Sequence, residues 1–149
     1  EGHEEVDWSA FAAFARRHGV RSVVLVGPAP QWLPSLPRVI VDHRWMQPEK
    51  VFVSEGLKAS ILDADATLAR RYAASANLTY VSLIAGLCGA QGCRARLDTP
   101  GPYNLTSVDY GHLSPEGSLF VARTILRDAL EPGEREGGFR GAALRRTFD

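Results

Sequence analysis

Apolar residues at helical spacing begin close to the amino terminus. Asp7 is a suitable N-cap for a first helix. The apolar positions that follow it recur every three or four residues: Trp8, Phe11, Phe14 and Ala15. Gly19 ends this predicted helix, because glycine readily adopts the left-handed conformation of a helix carboxyl end. The apolar, mostly branched run over 20–26 then predicts a strand covered on both faces, as in a parallel sheet.

Prolines interrupt the next apolar segment. Residues 27–30 (GPAP) stop the strand, and further prolines predict an irregular stretch with a short extended segment at 38–41. Residues 42–50 are predicted to form a loop with Trp45 as its aromatic anchor.

Residues 57–76 have the pattern of a long amphipathic helix. One face of this helix carries its apolar side chains: Leu57, Ile61, Leu62, Leu68 and Tyr72. The pattern places charged side chains outside that face: Lys58, Asp65 and Arg70. We therefore expect the helix to cover a sheet with its apolar face.

Short apolar runs and polar segments alternate in the carboxyl-terminal half. Residues 80–84 predict a second buried strand, and 85–107, rich in glycine, proline and polar residues, predict a long loop. Long loops inside compact domains are usually functional. Ser114 and Pro115 begin the last predicted helix, because serine is a good N-cap and proline suits the first helical position.

Length and composition suit one domain, which we place at 1–131, with a poorly ordered tail at 132–149. The chain has 149 residues, of which 45% are hydrophobic, enough to fill one core. Seventeen basic and 17 acidic residues give a formal net charge of zero, which provides no electrostatic reason to expect a nucleic-acid partner. No apolar run reaches the roughly 20 residues of a membrane-spanning helix. The chain begins at Glu1 rather than Met, so we expect a fragment of a longer protein.

The two cysteines, Cys88 and Cys93, are separated by four residues that include two glycines. Two cysteines alone cannot form a tetrahedral zinc site. His112 could be a third ligand, but its spacing from Asp109 favours a different role. We interpret the pair as a short-loop disulfide of a protein in an oxidising compartment such as a periplasm. The alternative is two free thiols in a cytosolic loop. We expect no metal and no cofactor.

Asp109 and His112 form the strongest local signal for chemistry, three residues apart and just before a capped helix. The carboxylate can accept a hydrogen bond from one ring nitrogen and leave the other as the acceptor that a general base needs. Gly111 lets the backbone turn closely between the two side chains. The alternative interpretation is a surface pair, or a turn stabilised by aspartate.

Three segments carry a resemblance to a known family. The block Asp109-Tyr110-Gly111-His112-Leu113-Ser114-Pro115-Glu116-Gly117 resembles the last conserved block of SGNH hydrolases. Residues 24–33 (VLVGPAPQWL) resemble the strand and turn of the SGNH domains fused to acyltransferase family 3 membrane proteins, and 80–82 with the two cysteines resemble their strand and cysteine-bearing loop. The resemblance runs from about residue 20 to 130 and covers most of the chain.

The resemblance implies a fold, a reaction and a location. The fold is a three-layer α/β domain with a mostly parallel, flavodoxin-like sheet. His112 is implied as the general base of a Ser-His-Asp triad, and Asp109 as the residue that orients it. The complete protein is implied to transfer O-acetyl or other short acyl groups to a cell-envelope polysaccharide, or to remove them. It would act on the periplasmic side of a bacterial inner membrane, anchored by an amino-terminal membrane acyltransferase domain of the same chain.

The sequence departs from this family pattern at the nucleophile. No Gly-Asp-Ser turn occurs in the 149 residues, and no serine lies in a strand–turn–helix context of the kind that a nucleophile needs. We explain this as a truncation that removes the first strands of the sheet together with the serine. We therefore expect the fragment to be inactive alone, and to aggregate through the unpaired edge of 23–26.

A non-catalytic glycan-binding or regulatory domain of a membrane acyltransferase is the alternative. Trp32, Trp45 and Tyr110 are the aromatic residues that could stack on sugar rings in that case. Of these, Trp32 and Tyr110 are the candidates for substrate binding. The coding sequence upstream distinguishes the two hypotheses, because an intact upstream region without the serine would favour the alternative.

Overall fold

The computed structural model describes residues 6–45, 50–98 and 104–130. The predicted tail at 132–149 lies outside the described residues, as do residues 46–49 of the predicted 42–50 loop. In chain order the elements are α1 (Trp8–Arg17), β1 (Val24–Val26), α2 (Leu36–Asp42), β2 (Phe52–Val53), α3 (Ala59–Tyr72), β3 (Thr79–Val81), α4 (Leu83–Leu87), β4 (Cys88–Gly89), β5 (Gly92–Arg94), α5 (Pro115–Thr124) and α6 (Arg127–Leu130). The predicted α/β fold class is confirmed.

Two small sheets organise the described residues. β1 and β3 pair in parallel, with Val24 opposite Thr79 and Val26 opposite Val81. The second sheet is antiparallel, with β5 between β2 and β4. α3 lies between β1 and β3 in the chain and packs on β3, so the three elements form a βαβ unit.

The first helix forms as predicted, but the strand after it is shorter. Asp7 caps α1 by accepting hydrogen bonds from two backbone amides, and Gly19 has a positive φ of 89° just after the helix. β1 covers three residues of the predicted 20–26 strand, because its partner β3 also offers only three before the chain turns into α4. Val26 is exposed, so this end of the strand is not covered on both faces as predicted.

The predicted extended segment at 38–41 is wrong, because these residues lie inside α2. Ser35 caps the helix, and Pro37 lies in its first turn, where a missing amide hydrogen has no cost. Leu36, Val39 and Ile40 are buried at helical spacing. That spacing indicates a helix, but the neighbouring prolines favoured the prediction of an irregular stretch.

The position predicted for Asp65, outside the apolar face, is also wrong. Asp65 is only 5% exposed, and its carboxylate accepts hydrogen bonds from the Tyr80 hydroxyl and the Ser82 hydroxyl, each at 2.7 Å. Its spacing from Ile61 and Leu68 places it on the apolar face of α3. The two hydroxyl donors explain how a carboxylate is tolerated there.

The predicted strand at 80–84 and the predicted loop at 85–107 both change. The strand ends at Val81, and Ser82 begins α4 by accepting a hydrogen bond from the amide of Ala85. The loop contains the β4–β5 hairpin, whose cross-strand cysteines are bonded at an S–S distance of 2.03 Å. β5 carries the chain into the main core cluster: Trp32, Leu36, Val39, Ile40, Val53, Cys93 and Ala95.

Candidate active site

The Asp109–His112 segment is the tip of a loop held closed by backbone hydrogen bonds. The amide of Val108 donates to the carbonyl of His112 at 3.0 Å, and Ser107 and Leu113 form an antiparallel bridge. Below that bridge the Ser114 hydroxyl donates to the carbonyl of Leu105 at 2.6 Å. The loop is therefore fastened at its base where α5 begins.

Asp109 uses its two carboxylate oxygens for different partners. Oδ1 accepts hydrogen bonds from the amides of Gly111 at 2.9 Å and His112 at 2.8 Å, which hold the turn. Oδ2 lies 2.7 Å from Nδ1 of His112. Since a carboxylate oxygen accepts, Nδ1 carries the hydrogen in this arrangement, and Nε2 is left with a lone pair.

Hydrogen bonding keeps Asp109 ionised. The amide of Gly111 is the largest cause, followed by the amide and then the ring of His112, and together they lower the pKa of Asp109 to about 2. An ionised carboxylate beside an imidazole stabilises the imidazolium that forms when the ring takes a proton. The His112 side chain is 71% exposed, so a hydroxyl from outside the loop can reach the ring.

Backbone hydrogen bonds from the 27–32 turn and from the start of α2 hold this loop in place. The amide of Trp32 donates to the carbonyl of Tyr110 at 2.8 Å, and the amide of Leu36 donates to the carbonyl of Asp109 at 3.2 Å. Gly111 lies against the Gln31 side chain, where an added Cβ would come within 2.8 Å of it. The residues that directly follow the VGPAP turn and the Asp-x-x-His block are therefore neighbours, although Gln31 and Gly111 are 80 positions apart in sequence.

Comparison with known proteins gives the family. The family model described as "SGNH domain (fused to AT3 domains)" matches residues 6–127. The chain belongs to this SGNH family. No curated protein sequence matches the chain.

A solved structure has a similar fold. The SGNH domain is similar to the periplasmic domain of a lipopolysaccharide acetyltransferase from Salmonella ser. Paratyphi A, with 22% sequence identity and a TM-score of 0.61. The match covers 88% of this chain and 54% of the other, so the SGNH domain spans about half the length of that relative. At 22% sequence identity, this similarity shows that the two domains share a fold.

The structure separates the two aromatic residues proposed for substrate binding. Tyr110 is 47% exposed and meets the His112 ring edge-on, with the ring centroids 5.6 Å apart. Trp32 has no exposed surface, because it packs in the core cluster beside Leu36 and Val53. Stacking of a sugar on Trp32 is therefore wrong for this structure, and the contribution of Trp32 to the site is its backbone amide.

Two further observations concern metals and membranes. Over 6–45, 50–98 and 104–130, no three His, Cys, Asp or Glu side chains are grouped so that they could hold a metal ion. None of the helices in this part of the SGNH domain combines the length and apolar character that crossing a bilayer requires.

Proposed function

We propose that this SGNH domain takes part in acyl transfer by a serine mechanism, with His112 as the general base and Asp109 as its orienting carboxylate. The observation that carries the proposal is the 2.7 Å contact between Nδ1 and Oδ2 in a fastened loop with an exposed ring. The family match and the solved acetyltransferase domain support acyl transfer as the reaction class.

The nucleophile in this proposal is a serine of the complete protein, because the 149 residues contain no Gly-Asp-Ser turn. Nε2 of His112 accepts the serine proton while the serine oxygen attacks the acyl carbonyl carbon. His112 then gives that proton to the oxygen of the acyl donor as the bond between this oxygen and the acyl group breaks. The acyl group is now bound to the serine oxygen as an acyl-serine. An acceptor hydroxyl, deprotonated by the same nitrogen, attacks the acyl-serine, and the proton returns to the serine oxygen. On its own, the 149-residue chain is inactive in this scheme.

The substrate in this proposal is an O-acyl sugar or a cell-envelope polysaccharide, to which an O-acetyl or other short acyl group is transferred or from which it is removed. Support comes from the relative, which is a periplasmic domain of a lipopolysaccharide acetyltransferase. The Cys88–Cys93 disulfide also favours an oxidising compartment, because cytosolic thiols are kept reduced. The fusion named in the family description supports a membrane acyltransferase domain as the partner within the same protein.

Substitution of the base tests the proposal in the complete parent protein. His112→Ala is expected to lower turnover of p-nitrophenyl acetate by about 10²- to 10⁴-fold, because the proton acceptor is lost. Asp109→Asn is expected to cost roughly two orders of magnitude or more, because the amide cannot hold the ring in the same tautomer.

A second exposed histidine provides the matched control. His18→Ala, at the carboxyl end of α1, should leave turnover unchanged because, within the described residues, the His18 ring makes its hydrogen bond to the carbonyl of Phe14 in its own helix. Full turnover in a folded His112→Ala protein contradicts the proposal.

Exposure of Tyr110 beside His112 favours the second candidate, a glycan-binding domain without catalysis. In that case Tyr110→Ala weakens binding of an acetylated polysaccharide in a titration, while wild type and His112→Ala show the same absence of turnover. Turnover that depends on His112 excludes this candidate.

A further inference from the structure

A buried carboxylate connects α3 with the carboxyl ends of the two parallel strands. Asp65 accepts one hydrogen bond from Tyr80 in β3 and one from Ser82, the residue that follows β3. Burial, and then the hydrogen bond to Asp65, raise the pKa of Tyr80 well above its ordinary value, so its hydroxyl keeps its proton and donates. The carboxylate therefore has a defined donor at each oxygen.

The end of β1 packs directly on this cluster. The amide of Gly27 donates to the carbonyl of Val81 at 2.8 Å, which extends the β1–β3 pairing by one residue. A Cβ on Gly27 would collide with the Tyr80 hydroxyl and would lie 2.6 Å from Oδ1 of Asp65. Gly27 is thus in close contact with the Asp65–Tyr80 pair, and a side chain at this position would require the pair to shift.

The same turn then reaches the Asp109–His112 loop. Five residues after Gly27, the amide of Trp32 bonds to the carbonyl of Tyr110, and Gln31 lies against Gly111. The carbonyl of Gln31 also accepts a hydrogen bond from the amide of Lys58, next to the start of α3. α3 therefore supports the turn at both ends, through Asp65 at Gly27 and through Lys58 at Gln31.

We propose that Asp65 is a positioning residue for acyl transfer, which sets the place of His112 by fixing the 27–32 turn. This inference rests on the proposed function. Asp65 touches neither the imidazole nor Asp109, so it affects where the base lies and leaves the hydrogen bond between His112 and Asp109 intact. A small displacement of a reacting group is enough to lower a rate by up to about 10²-fold.

The test compares variants of the complete parent protein on p-nitrophenyl acetate. Asp65→Asn keeps the shape but replaces one acceptor by a donor, and is expected to lower kcat by about 10- to 100-fold, with KM changed less than about threefold. The shape of the pH–kcat profile should stay as in wild type, because the imidazole–carboxylate pair is unaltered. Asp63→Asn is the matched control, on the same helix but exposed, and should leave kcat unchanged.

A readout of the ring separates positioning from general loss of structure. The Nδ1 proton of His112, observed by NMR, should keep its wild-type shift in Asp65→Asn, whereas Asp109→Asn should move it. Wild-type kcat in folded Asp65→Asn overturns the inference. If Asp65→Asn does not fold, Tyr80→Phe is the second test, because it removes one hydrogen-bond donor to Asp65 and keeps the aromatic ring. A several-fold lower kcat in Tyr80→Phe supports the inference. An unchanged kcat overturns it. Wild-type turnover in His112→Ala would instead refute the proposed function itself.

Discussion

Asp109 combines two tasks in one side chain. Through Oδ1 it holds the backbone amides of a three-residue turn, and through Oδ2 it holds the imidazole. The turn and the orientation of the ring therefore depend on the same carboxylate. Asparagine could still accept from the two amides, but its remaining amide group could not act as an anionic acceptor for the ring.

The ionisation of Asp109 gives a prediction at this scale. Its pKa is lowered to about 2 in the folded protein, below the ordinary value of 3.8. The contribution of Asp109 to stability is therefore present above about pH 4 and is lost as the pH falls towards 2. We expect the ¹³C shift of its carboxyl carbon to show no protonation of the carboxyl group from pH 7 down to about pH 3. A carboxyl half-titrated near pH 4 contradicts this.

At the scale of elements, the start of α5 fixes the base of the Asp109–His112 loop. The Ser114 hydroxyl accepts from the amide of Gly117 at 2.8 Å and donates to the carbonyl of Leu105 at 2.6 Å. Gly117 packs so closely on the carbonyl of Thr106 that a Cβ would collide with it. Helix and loop are therefore joined at two adjacent points.

Loss of the Ser114 hydroxyl should lower the stability of the fold. Ser114→Ala removes a helix cap and a buried hydrogen bond, and we expect the free energy of unfolding to fall by about 1 to 3 kcal/mol in urea denaturation. Ser118→Ala, exposed on the same helix, should change it by less than about 0.5 kcal/mol. Equal effects for the two variants would contradict the role of the cap.

The disulfide gives a second prediction for an element. It closes the β4–β5 hairpin, and β5 leads into Ala95, whose carbonyl accepts a hydrogen bond from the amide of Thr106 below the Asp109–His112 loop. Chain entropy for so short a loop predicts that reduction lowers the free energy of unfolding by about 2 kcal/mol. Urea denaturation with and without dithiothreitol measures this. The Cys88→Ala/Cys93→Ala variant is the control and should not respond to the reductant.

At the scale of the molecule, α1 and β1 both leave large apolar side chains exposed. Phe11 and Phe14 are each 51% exposed, and Val26 is 41% exposed. In the part of the chain that the structure describes, β1 pairs only with β3, so its other edge has no strand beside it. Exposed apolar surface next to an open strand edge promotes association.

The 149-residue chain produced alone is therefore expected to self-associate. Size-exclusion chromatography with light scattering should show species larger than a monomer. Phe11→Glu/Phe14→Glu should shift the chain towards monomer, because glutamate suits a helix and repels its neighbours. Leu119→Glu, at another exposed apolar position, is the control and should not do so. A stable monomer for the unmodified chain contradicts the prediction.

Local interactions were readable from the sequence alone. The caps of α1 and α5 and the contact between Asp109 and His112 all join residues within three positions of each other. Such contacts need no other part of the chain, so the pattern that predicts them also contains both partners. The α/β class was likewise predictable, because apolar periodicity distinguishes helices from buried strands.

Tertiary contacts decided what local patterns could not. Asp65 is buried because two hydroxyl groups 15 and 17 residues away satisfy its carboxylate, and Trp32 is buried in a cluster to which α2, β2 and β5 all contribute. In the antiparallel sheet, β2 pairs with β5, whose partner residues Val53 and Cys93 are 40 positions apart, so no short window contains the signal for that pairing. The sequence determined the Asp109–His112 turn, and the packing of the 27–32 turn against it determined where that turn lies, because hydrogen bonds between distant backbone groups exist only once the chain has folded.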